Sequence, residues 1–459
     1  MARWYDGITR YQWLVLLIAS LGWIFDVFEG QIFVASMRDA MPSLVPPATE
    51  PGTIQLYNNI ALGAFLLGGA LGGIVFGVMS DRIGRTRTMS LTILMYSLFT
   101  CLSAFSQQWW HLAGFRFLVA MGVGGEWAVA SAMVAEVFPS RARAWSLGIF
   151  HASSVFGTYL AVAVGTFVIG NAYFHQLAVR HDLPSLPWRI GFAMGVLPAF
   201  LILWIRWSLR EPESWQQARD SARGTDPRKK MGVITQLFTT EMLGRTCIGV
   251  LLAAVGMATF WGVTIYGKDV LRQHRERQLM AAEHLEPGAE EGVLESFHER
   301  HQQSLKRWEM LGMFLVTTGA GAGLVCFGPI CERLGRRGAF LVYHLSAFAV
   351  SIAVFNVAFG TAVLMVALPL FGFVAVGMHA GYAIYFPELF PTRLRGTGAG
   401  FCFNCGRVLA APILFISGWM QKDWGYTLAQ SATILSGLFL IGLLALVRAP
   451  ETKGQELPA

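Results

Sequence analysis

The chain has 459 residues, of which 54% are hydrophobic and only 14% are charged. Because a soluble globular protein carries about 25% charged residues, this chain lacks the charge to cover an aqueous surface. Its formal net charge of +7 does not indicate nucleic-acid binding, since the basic residues stand in short segments between apolar runs, where they set membrane topology.

Apolar runs long enough to cross a bilayer follow one another along the whole chain. About 20 apolar residues cross the ~30 Å hydrocarbon layer as a helix, whereas a closed β-barrel would show short alternating segments. The first ten residues lack a short apolar core with a cleavage site, so no removable signal peptide is expected. The sequence predicts an all-α polytopic membrane protein with spans 1 to 12 at 12–37, 54–79, 88–106, 109–137, 144–171, 188–208, 246–267, 308–331, 338–358, 362–390, 396–420 and 427–448.

Basic residues between the spans indicate the orientation. We expect the protein to lie in the plasma membrane. By the positive-inside rule, both termini and the linker 209–245 are then cytoplasmic. The connection 268–307 is then external, and its seven Lys/Arg and eight Asp/Glu predict two polar helices broken at Pro287-Gly288. The basic residues that carry this prediction are Arg82, Arg85, Arg87, Arg141, Arg143, Arg228, Lys229, Lys230, Arg333, Arg336, Arg337, Arg393 and Arg395.

Two residue pairs could indicate redox chemistry or metal binding, but packing or exposure to solvent explains them more simply. Cys402 and Cys405 form a C-x-x-C without a second pair or a histidine, so we expect them to pack in a helix. His298 and His301, three residues apart, could bind a metal or sense pH, whereas solvated loop histidines are the plainer alternative. We expect no metal and no cofactor.

An internal repeat divides the chain into two halves. Residues 77–85 recur as 328–336, and 136–143 recur as 388–395, both about 251–252 residues apart. Arg210-Glu-Pro212-Glu213 likewise matches Arg448-Ala-Pro450-Glu451. Parallel repeats about an axis along the membrane normal are typical of one transporter architecture. The repeat predicts a six-span half at 1–208, the linker 209–245 and a six-span half at 246–459.

The segment 77–85, with its acid, basic residues and glycines, resembles the signature of the major facilitator superfamily. Two copies at matched positions make the resemblance specific, and it covers essentially the whole chain. It implies a twelve-span fold that works by alternating access, with cytoplasmic ion pairs that hold the two halves together in the outward-open state; for the basic members, a purely topogenic role is the alternative. The residues that resemble this gate network are Asp81, Arg82, Arg85, Glu136, Arg141, Glu332, Arg333, Arg336, Glu388 and Arg393.

Within the superfamily, the motifs favour an organic-acid branch over sugar porters. Residues 116–124 and 450–454 look like both groups. Sugar porters usually carry a glutamine pair in spans 5 and 7 and a Gly-Pro…Pro-Trp pattern in span 10, and this chain lacks both features. Residues 124–127, Gly-Gly-Glu-Trp, are similar to bacterial sialate, lactate and dicarboxylate proton symporters. Residues 25–29 resemble the Asp-Gly-Tyr-Asp motif of aromatic-acid proton symporters, with valine in place of glycine and glutamate in place of the second aspartate.

Arg407 is the leading candidate for substrate binding. It lies about 11 residues beyond the start of span 11, or roughly 16 Å deep, near the bilayer midplane. A guanidinium stays charged and matches a carboxylate with two parallel hydrogen bonds. The resemblance to organic-anion transporters covers Asn404 to Arg407, so Asn404 is expected to assist. A permanent ion pair with span 1, 4 or 7 is the structural alternative.

Acids in spans 1 and 4 are candidates for proton coupling. Asp26 and Glu29 share one helical face, and Glu29 and Arg116 lie at matching depths of roughly 12 and 10 Å. In related sugar–proton symporters the matching acid and arginine couple transport to protons; a static ion pair is the alternative. Glu126 lies deeper, and a role in proton coupling and a structural role as a buried, hydrogen-bonded acid are equal alternatives for it. His151 could be its partner.

Further candidates for the cavity wall are Trp261 in span 7 and Tyr382 and His379 in span 10, because these spans usually face the cavity in this family; His151 is a fourth. The sequence predicts a proton-coupled symporter for a small organic anion. The protein is expected to be monomeric and surrounded by the lipid bilayer. A sugar or polyol porter is the first alternative, and a solute sensor without flux is the second. No nucleophile–base pair indicates an enzyme.

Overall fold

The computed structural model describes residues 4–47, 49–183, 185–222, 230–286 and 290–458. The predicted basic residues Arg228 and Lys229 and the Pro287-Gly288 break lie outside the described residues. Within the described part the ordered elements are all helical.

The spans are helices whose bounds follow the apolar runs. Spans 1 to 4 are Arg10–Ala40, Pro51–Ile83, Arg85–Ser103 and Trp109–Val137. Span 5 is Ser140–Ala152, Ser154–Val164 and the π-turn Gly165–Ile169, and span 6 is Leu186–Ala193, Met194–Val196 and Ala199–Ser208. Span 7 is Leu243–Gly262 and Thr264–Tyr266, spans 8 and 9 share Glu291–Asn356, span 10 is Thr361–Gly377 with His379–Leu389, span 11 is Arg395–Lys422, and span 12 is Leu428–Ser436 with Leu438–Arg448.

Eight helices among the described residues are long and apolar enough to cross a membrane. One of them, Arg307–Asn356, contains two spans because Gly335 breaks it with φ +79°. Span 3, span 11 and the shorter apolar helix Leu186–Ile202 complete the set. The predicted fold class of twelve spans is confirmed.

The connection between spans 7 and 8 contains two helices, as predicted. Helix Gly267–Ala282 continues span 7, and span 8 already begins at Glu291, so the two helices form a hairpin (267–307, hereafter the hairpin). Leu271, Phe297 and Leu305 are buried within it. The hairpin defines one face of the molecule, the hairpin face; the opposite face, which carries residues 81–85 and 332–336, is called the gate face.

The two hairpin histidines do not converge on a common site. His298 Nε2 lies 2.6 Å from Glu276 Oε1, and His301 Nε2 lies 2.5 Å from Glu283 Oε1. Arg300 also donates to Glu283, at 2.8 Å, and the hydrogen bonds from His301 and Arg300 hold the pKa of Glu283 below its ordinary value. Each histidine therefore joins the two hairpin helices through a different acid.

Spans 3 and 9 both begin at a sharp turn on the gate face. Gly84 has φ +111° and Gly335 has φ +79°, backbone conformations that favour glycine. Glu211 accepts hydrogen bonds from the N–H groups of Arg85 and Thr86, at 2.6 and 3.0 Å. Glu451 does the same at Arg336 and Arg337, at 2.9 and 3.2 Å. A carboxylate thus caps each helix N-terminus, where the helix dipole stabilises negative charge.

The halves pack on each other mainly through spans 2 and 11 and through spans 5 and 8. Small residues permit the close approach: a Cβ on Gly73 would lie 1.7 Å from Asn404 Nδ2. Trp127 of span 4 stacks on Phe403 of span 11, with ring centroids 4.0 Å apart. Cys402 packs against Gly249 of span 7, as expected for a packing cysteine. These contacts leave a cavity between the halves.

Candidate functional site

The cavity has a volume of about 270 Å³ and is lined by residues of both halves. Spans 1, 2 and 5 line one side, and spans 7, 8, 10 and 11 line the other. The wall is mainly apolar and aromatic, and among the described lining residues the charged side chains are Asp26, Lys268 and Arg407. The aromatic members are Trp23, Phe33, Phe65, Phe260, Trp261 and Phe403.

Arg407 lines the cavity, as the sequence predicts. Its guanidinium lies 5.1 Å from the ring centroid of Phe403, and its Nη1 lies 2.5 Å from where a Cβ on Gly69 would be. Among the described residues it forms neither an ion pair nor a hydrogen bond, and Asp26 is an acid within electrostatic reach. A permanent ion pair with span 4 or 7 is therefore not the arrangement seen here, and the cation faces the cavity.

Asp26 lines the same cavity from span 1. It is 1% exposed, and both carboxylate oxygens are without a hydrogen bond to any described residue. Glu126, Arg407 and Glu29 are all within electrostatic reach. A buried acid with unused hydrogen-bonding capacity can exchange a proton. Its affinity for that proton depends on whether a nearby arginine is already paired with another anion.

Glu29 and Arg116 are neighbours, as predicted, but their contact differs from a carboxylate–guanidinium pair. Arg116 donates to the backbone carbonyl of Glu29 at 3.0 Å and to the hydroxyls of Thr100 and Ser103 at 3.1 and 3.0 Å. The Glu29 carboxylate forms no ion pair with the Arg116 guanidinium within the described part, and the Thr100 hydroxyl is its side-chain neighbour. Both residues are fully buried and neither lines the cavity, so they lie behind its wall.

Glu126 has a different partner from the one expected. The Thr92 hydroxyl donates to Glu126 Oε2 at 2.5 Å, while His151 Nδ1 accepts from Trp127 Nε1 at 3.3 Å. The pairing of Glu126 with His151 is therefore wrong. The reason is that His151 turns toward Trp127 and the cavity, whereas Glu126 points between spans 1 and 3, where a Cβ on Gly22 would lie 2.8 Å from its Oε1.

Of the other predicted cavity residues, Trp261, His379 and His151 line it, and Asn404 and Tyr382 do not. Asn404 is fully buried and donates to the Gly400 carbonyl at 2.8 Å. Tyr382 stacks on Phe386, and its hydroxyl lies 1.9 Å from where a Cβ on Gly256 would be. The lack of a side chain at Gly73 and Gly256 thus lets Asn404 and Tyr382 pack against spans 2 and 7. The prediction that these two residues line the cavity is wrong.

On the gate face, the first-half motif forms a network that crosses between the halves. Arg85 pairs with Asp81 at 2.5 Å and with Glu136 at 2.8 Å. Asp81 also accepts from the Thr397 hydroxyl at 2.5 Å and its N–H at 2.8 Å. Glu136 also pairs with Arg395, at 3.1 Å. Spans 2 and 4 are therefore tied to span 11, which closes the gate face.

The acids of the second-half motif form their described hydrogen bonds within their own half, while Arg143 of the first half lies within electrostatic reach of Glu388. Arg336 donates to both oxygens of Glu388, at 2.8 and 3.0 Å, and to Glu332 at 3.1 Å. Glu388 further accepts from the Thr452 hydroxyl at 2.6 Å. The C-terminal segment thus completes the hydrogen bonds of Glu388.

Among the described residues, four predicted gate residues form hydrogen bonds that involve backbone groups. Arg82 donates to the Gly232 carbonyl at 3.4 Å, and Arg141 donates to the Asp6 carbonyl. Arg333 and Arg393 contribute their carbonyls, to Lys453 Nζ and to the Gly232 N–H. Arg395, the first residue of span 11, supplies the cross-half cation, whereas the predicted gate residue Arg393 lies in the turn Thr392–Leu394 before that span.

Sequence reasoning missed Lys268, Arg395, Glu211 and Glu451. Arg395 had a usable signal, since the repeat pairs it with Arg143, and each donates from Nε to a carbonyl eight residues earlier. The repeat also pairs Glu451 with Glu213, whereas the residue that makes the equivalent contacts is Glu211.

The comparisons agree with this architecture. The pattern of the Major Facilitator Superfamily matches residues 27–413. The probable 4-methylmuconolactone transporter of Cupriavidus pinatubonensis is 26% identical over 99% of this chain and 94% of its own, and the sialic acid transporter NanX of Escherichia coli is 25% identical over 97% and 95%. The structure of the proton:xylose symporter XylE matches 97% of this chain and 98% of its own with a TM-score of 0.74 at 17% identity, a likeness of fold. The chain belongs to the major facilitator superfamily and is a multi-pass membrane transporter, not an enzyme.

Proposed function

We propose that this transporter carries a small organic anion together with a proton, with Arg407 binding the carboxylate and Asp26 carrying the proton. The observation that carries the proposal is that a cation and an acid, Arg407 and Asp26, line the same cavity. Arg407 faces the cavity with no ion pair or hydrogen bond to a described residue, and Asp26 faces the same cavity within its electrostatic reach.

Arg407 has the chemistry to hold a carboxylate. A guanidinium offers five N–H donors in a planar fork, and a charged donor that faces a cavity gains most from a charged acceptor. The aromatic wall around it suits a flat or apolar acid better than a polyhydroxylated sugar, which needs many hydrogen-bonding groups. The names of the two relatives, a methylmuconolactone and a sialic acid transporter, support an organic acid.

Asp26 is favoured over Glu29 as the proton carrier because it lines the cavity. When a substrate carboxylate occupies Arg407, that arginine attracts Asp26 less, and a second buried anion beside the first becomes costly. Proton binding by Asp26 and anion binding by Arg407 then favour each other. Glu29 and Glu126, both within reach of Asp26, are the alternative proton sites.

The closed gate face supports an outward-facing orientation of the cavity. The positive-inside rule assigns the gate face to the cytoplasm of a plasma-membrane protein, so the hairpin face and the cavity are external. Substrate then enters from outside, and the networks of Asp81 and Glu136 break when the halves rock to release it.

Uptake into proteoliposomes tests the proposal. Radiolabelled benzoate is supplied outside with an imposed inward proton gradient, with lactate and hexoses as competitors. We expect accumulation that collapses when the gradient is removed and is inhibited by acids only. Inhibition by hexoses alone would favour the sugar porter, and binding without flux would favour the sensor.

Two substitutions assign the roles. Arg407→Lys is expected to lower benzoate uptake at least about tenfold, since an ammonium lacks the bidentate fork. Asp26→Asn is expected to abolish accumulation driven by the proton gradient while sparing exchange of internal for external benzoate. Accumulation that survives in Asp26→Asn and is lost in Glu29→Gln would move the proton site to Glu29.

A further inference from the structure

A second cation lies on the cavity wall, nearer the hairpin face than Arg407. Lys268 lines the cavity from the start of the hairpin, and its Nζ lies 3.2 Å from Glu309 Oε1 of span 8. The side chain of Lys268 is 20% exposed, and that of Glu309 only 2%. The acid stands behind the lysine and does not line the cavity.

This arrangement presents positive charge to the cavity. An ammonium has three N–H donors, and one bond to Glu309 leaves others for a ligand on the cavity side. The buried carboxylate holds the lysine in place. Toward the hairpin, Arg272 and Arg275 follow Lys268 at spacings of four and seven residues on the same helix, so the three cations share one helix face.

Lys268 and Arg407 are attached to their helices at different depths of the cavity. Spans 7 and 11 run side by side, with Gly262 packed against Ile413. Lys268 lies six residues beyond Gly262 and Arg407 six residues before Ile413, so at ~1.5 Å per residue they are separated by roughly 18 Å along the axis. The two cations are therefore successive positions on one route.

We propose that Lys268, positioned by Glu309, is an outer carboxylate-binding site through which the anion passes from the hairpin face to Arg407. This inference rests on the proposed function, since it names the entry position of the same anion. A weak outer site raises the local concentration of anions and makes the rate of entry sensitive to salt.

Kinetics of benzoate uptake by the full-length protein in proteoliposomes test it. Lys268→Gln is expected to raise KM about fivefold with a smaller change in the maximal rate, the size expected for a partly exposed charge contact. The KM of the unsubstituted protein should rise with ionic strength, and this rise should be smaller in Lys268→Gln. Lys268→Arg keeps the charge and should hold KM near its original value.

Two controls separate this role from a structural clasp between spans 7 and 8. The double variant Lys268→Gln/Glu309→Gln restores a neutral pair; a clasp would be rescued by it, whereas the outer site predicts that KM stays raised. Arg300→Gln removes a cation from the hairpin away from the cavity and should leave KM unchanged.

The outcomes are distinguishable. An unchanged KM in Lys268→Gln, or its rescue in the double variant, overturns the outer site while uptake that depends on Arg407 leaves the proposed function standing. A protein that takes up no benzoate, with or without a proton gradient, counts against both.

Discussion

The two copies of the gate motif have nearly the same residues and make different contacts. In the first copy, Asp81 and Glu136 reach residues of span 11 in the other half. In the second, Glu332 and Glu388 stay within their own half, where Thr452 completes the network. The difference teaches that a repeated motif secures the same local turn twice, while the acids of the two copies differ: among the described residues those of the first copy bond across the halves, and the hydrogen bonds of those of the second copy stay in their own half. The following substitutions test that asymmetry, in order of expected effect.

The largest effect is expected at Glu136, which is fully buried between Arg85 and Arg395. Glu136→Gln leaves two buried cations short of a partner, which costs about 3–5 kcal/mol, and frees span 4 from span 11. Spin labels on the exposed residues Arg87 and Arg333 should then report a longer distance between the halves.

Glu388→Gln is the matched control for that experiment. It should lower the thermal midpoint in detergent, because Arg336 loses one of its two acids, but leave the label distance unchanged. Equal distances in both variants would show that the two copies close the gate alike.

A smaller effect is expected at Asp81, which accepts from Thr397 across the halves and is fully buried. Asp81→Asn weakens hydrogen bonds to a buried charge, at a cost of about 1–3 kcal/mol. Its mate Glu332 has a side chain 33% exposed, so Glu332→Gln should cost under about 1 kcal/mol. Measured unfolding midpoints that rank the two variants the other way would contradict the asymmetry.

The turns should behave alike in both halves. Gly84→Ala and Gly335→Ala each place a Cβ at positive φ and within 2.4 or 2.5 Å of a capping glutamate oxygen. Each is expected to cost about 1–2 kcal/mol. Gly63→Ala, where the added Cβ meets nothing within 4 Å, is the control. A clear difference between Gly84→Ala and Gly335→Ala would extend the asymmetry to the turns.

The smallest effect is expected at Glu451 and depends on pH. Although partial burial acts in the opposite direction, hydrogen bonds from the N–H groups of Arg336, Arg337 and Lys453 hold the pKa of Glu451 below its ordinary value. Its contribution to stability is therefore present above a pH of about 4.3 and is lost as the pH falls through the lowered pKa.

Glu451→Gln should consequently lower the thermal midpoint at neutral pH, and the deficit should shrink below about pH 4. Glu213→Gln, at the exposed position that the sequence repeat pairs with Glu451, should show little deficit at either pH. A pH-independent deficit in Glu451→Gln would mean that the carboxylate charge is not what caps span 9.

The sequence by itself determined the class of the protein, its twelve spans, its repeat and the depth of its buried charges. These properties follow from local hydropathy and spacing, since each span must hide its own backbone from lipid whatever its neighbours are. The position of Arg407 near the midplane is of this kind, because depth depends only on the number of residues from the end of the helix.

Only the tertiary structure decided which buried groups face the cavity. Asp26 and Glu29 lie three residues apart, yet one lines the cavity and the other lies behind its wall. Gly73 and Gly256 admit Asn404 and Tyr382 into helix contacts, and Glu309 directs Lys268. These outcomes depend on how each helix is rotated against partners distant in the chain, and hydropathy along a single helix carries no information about that rotation.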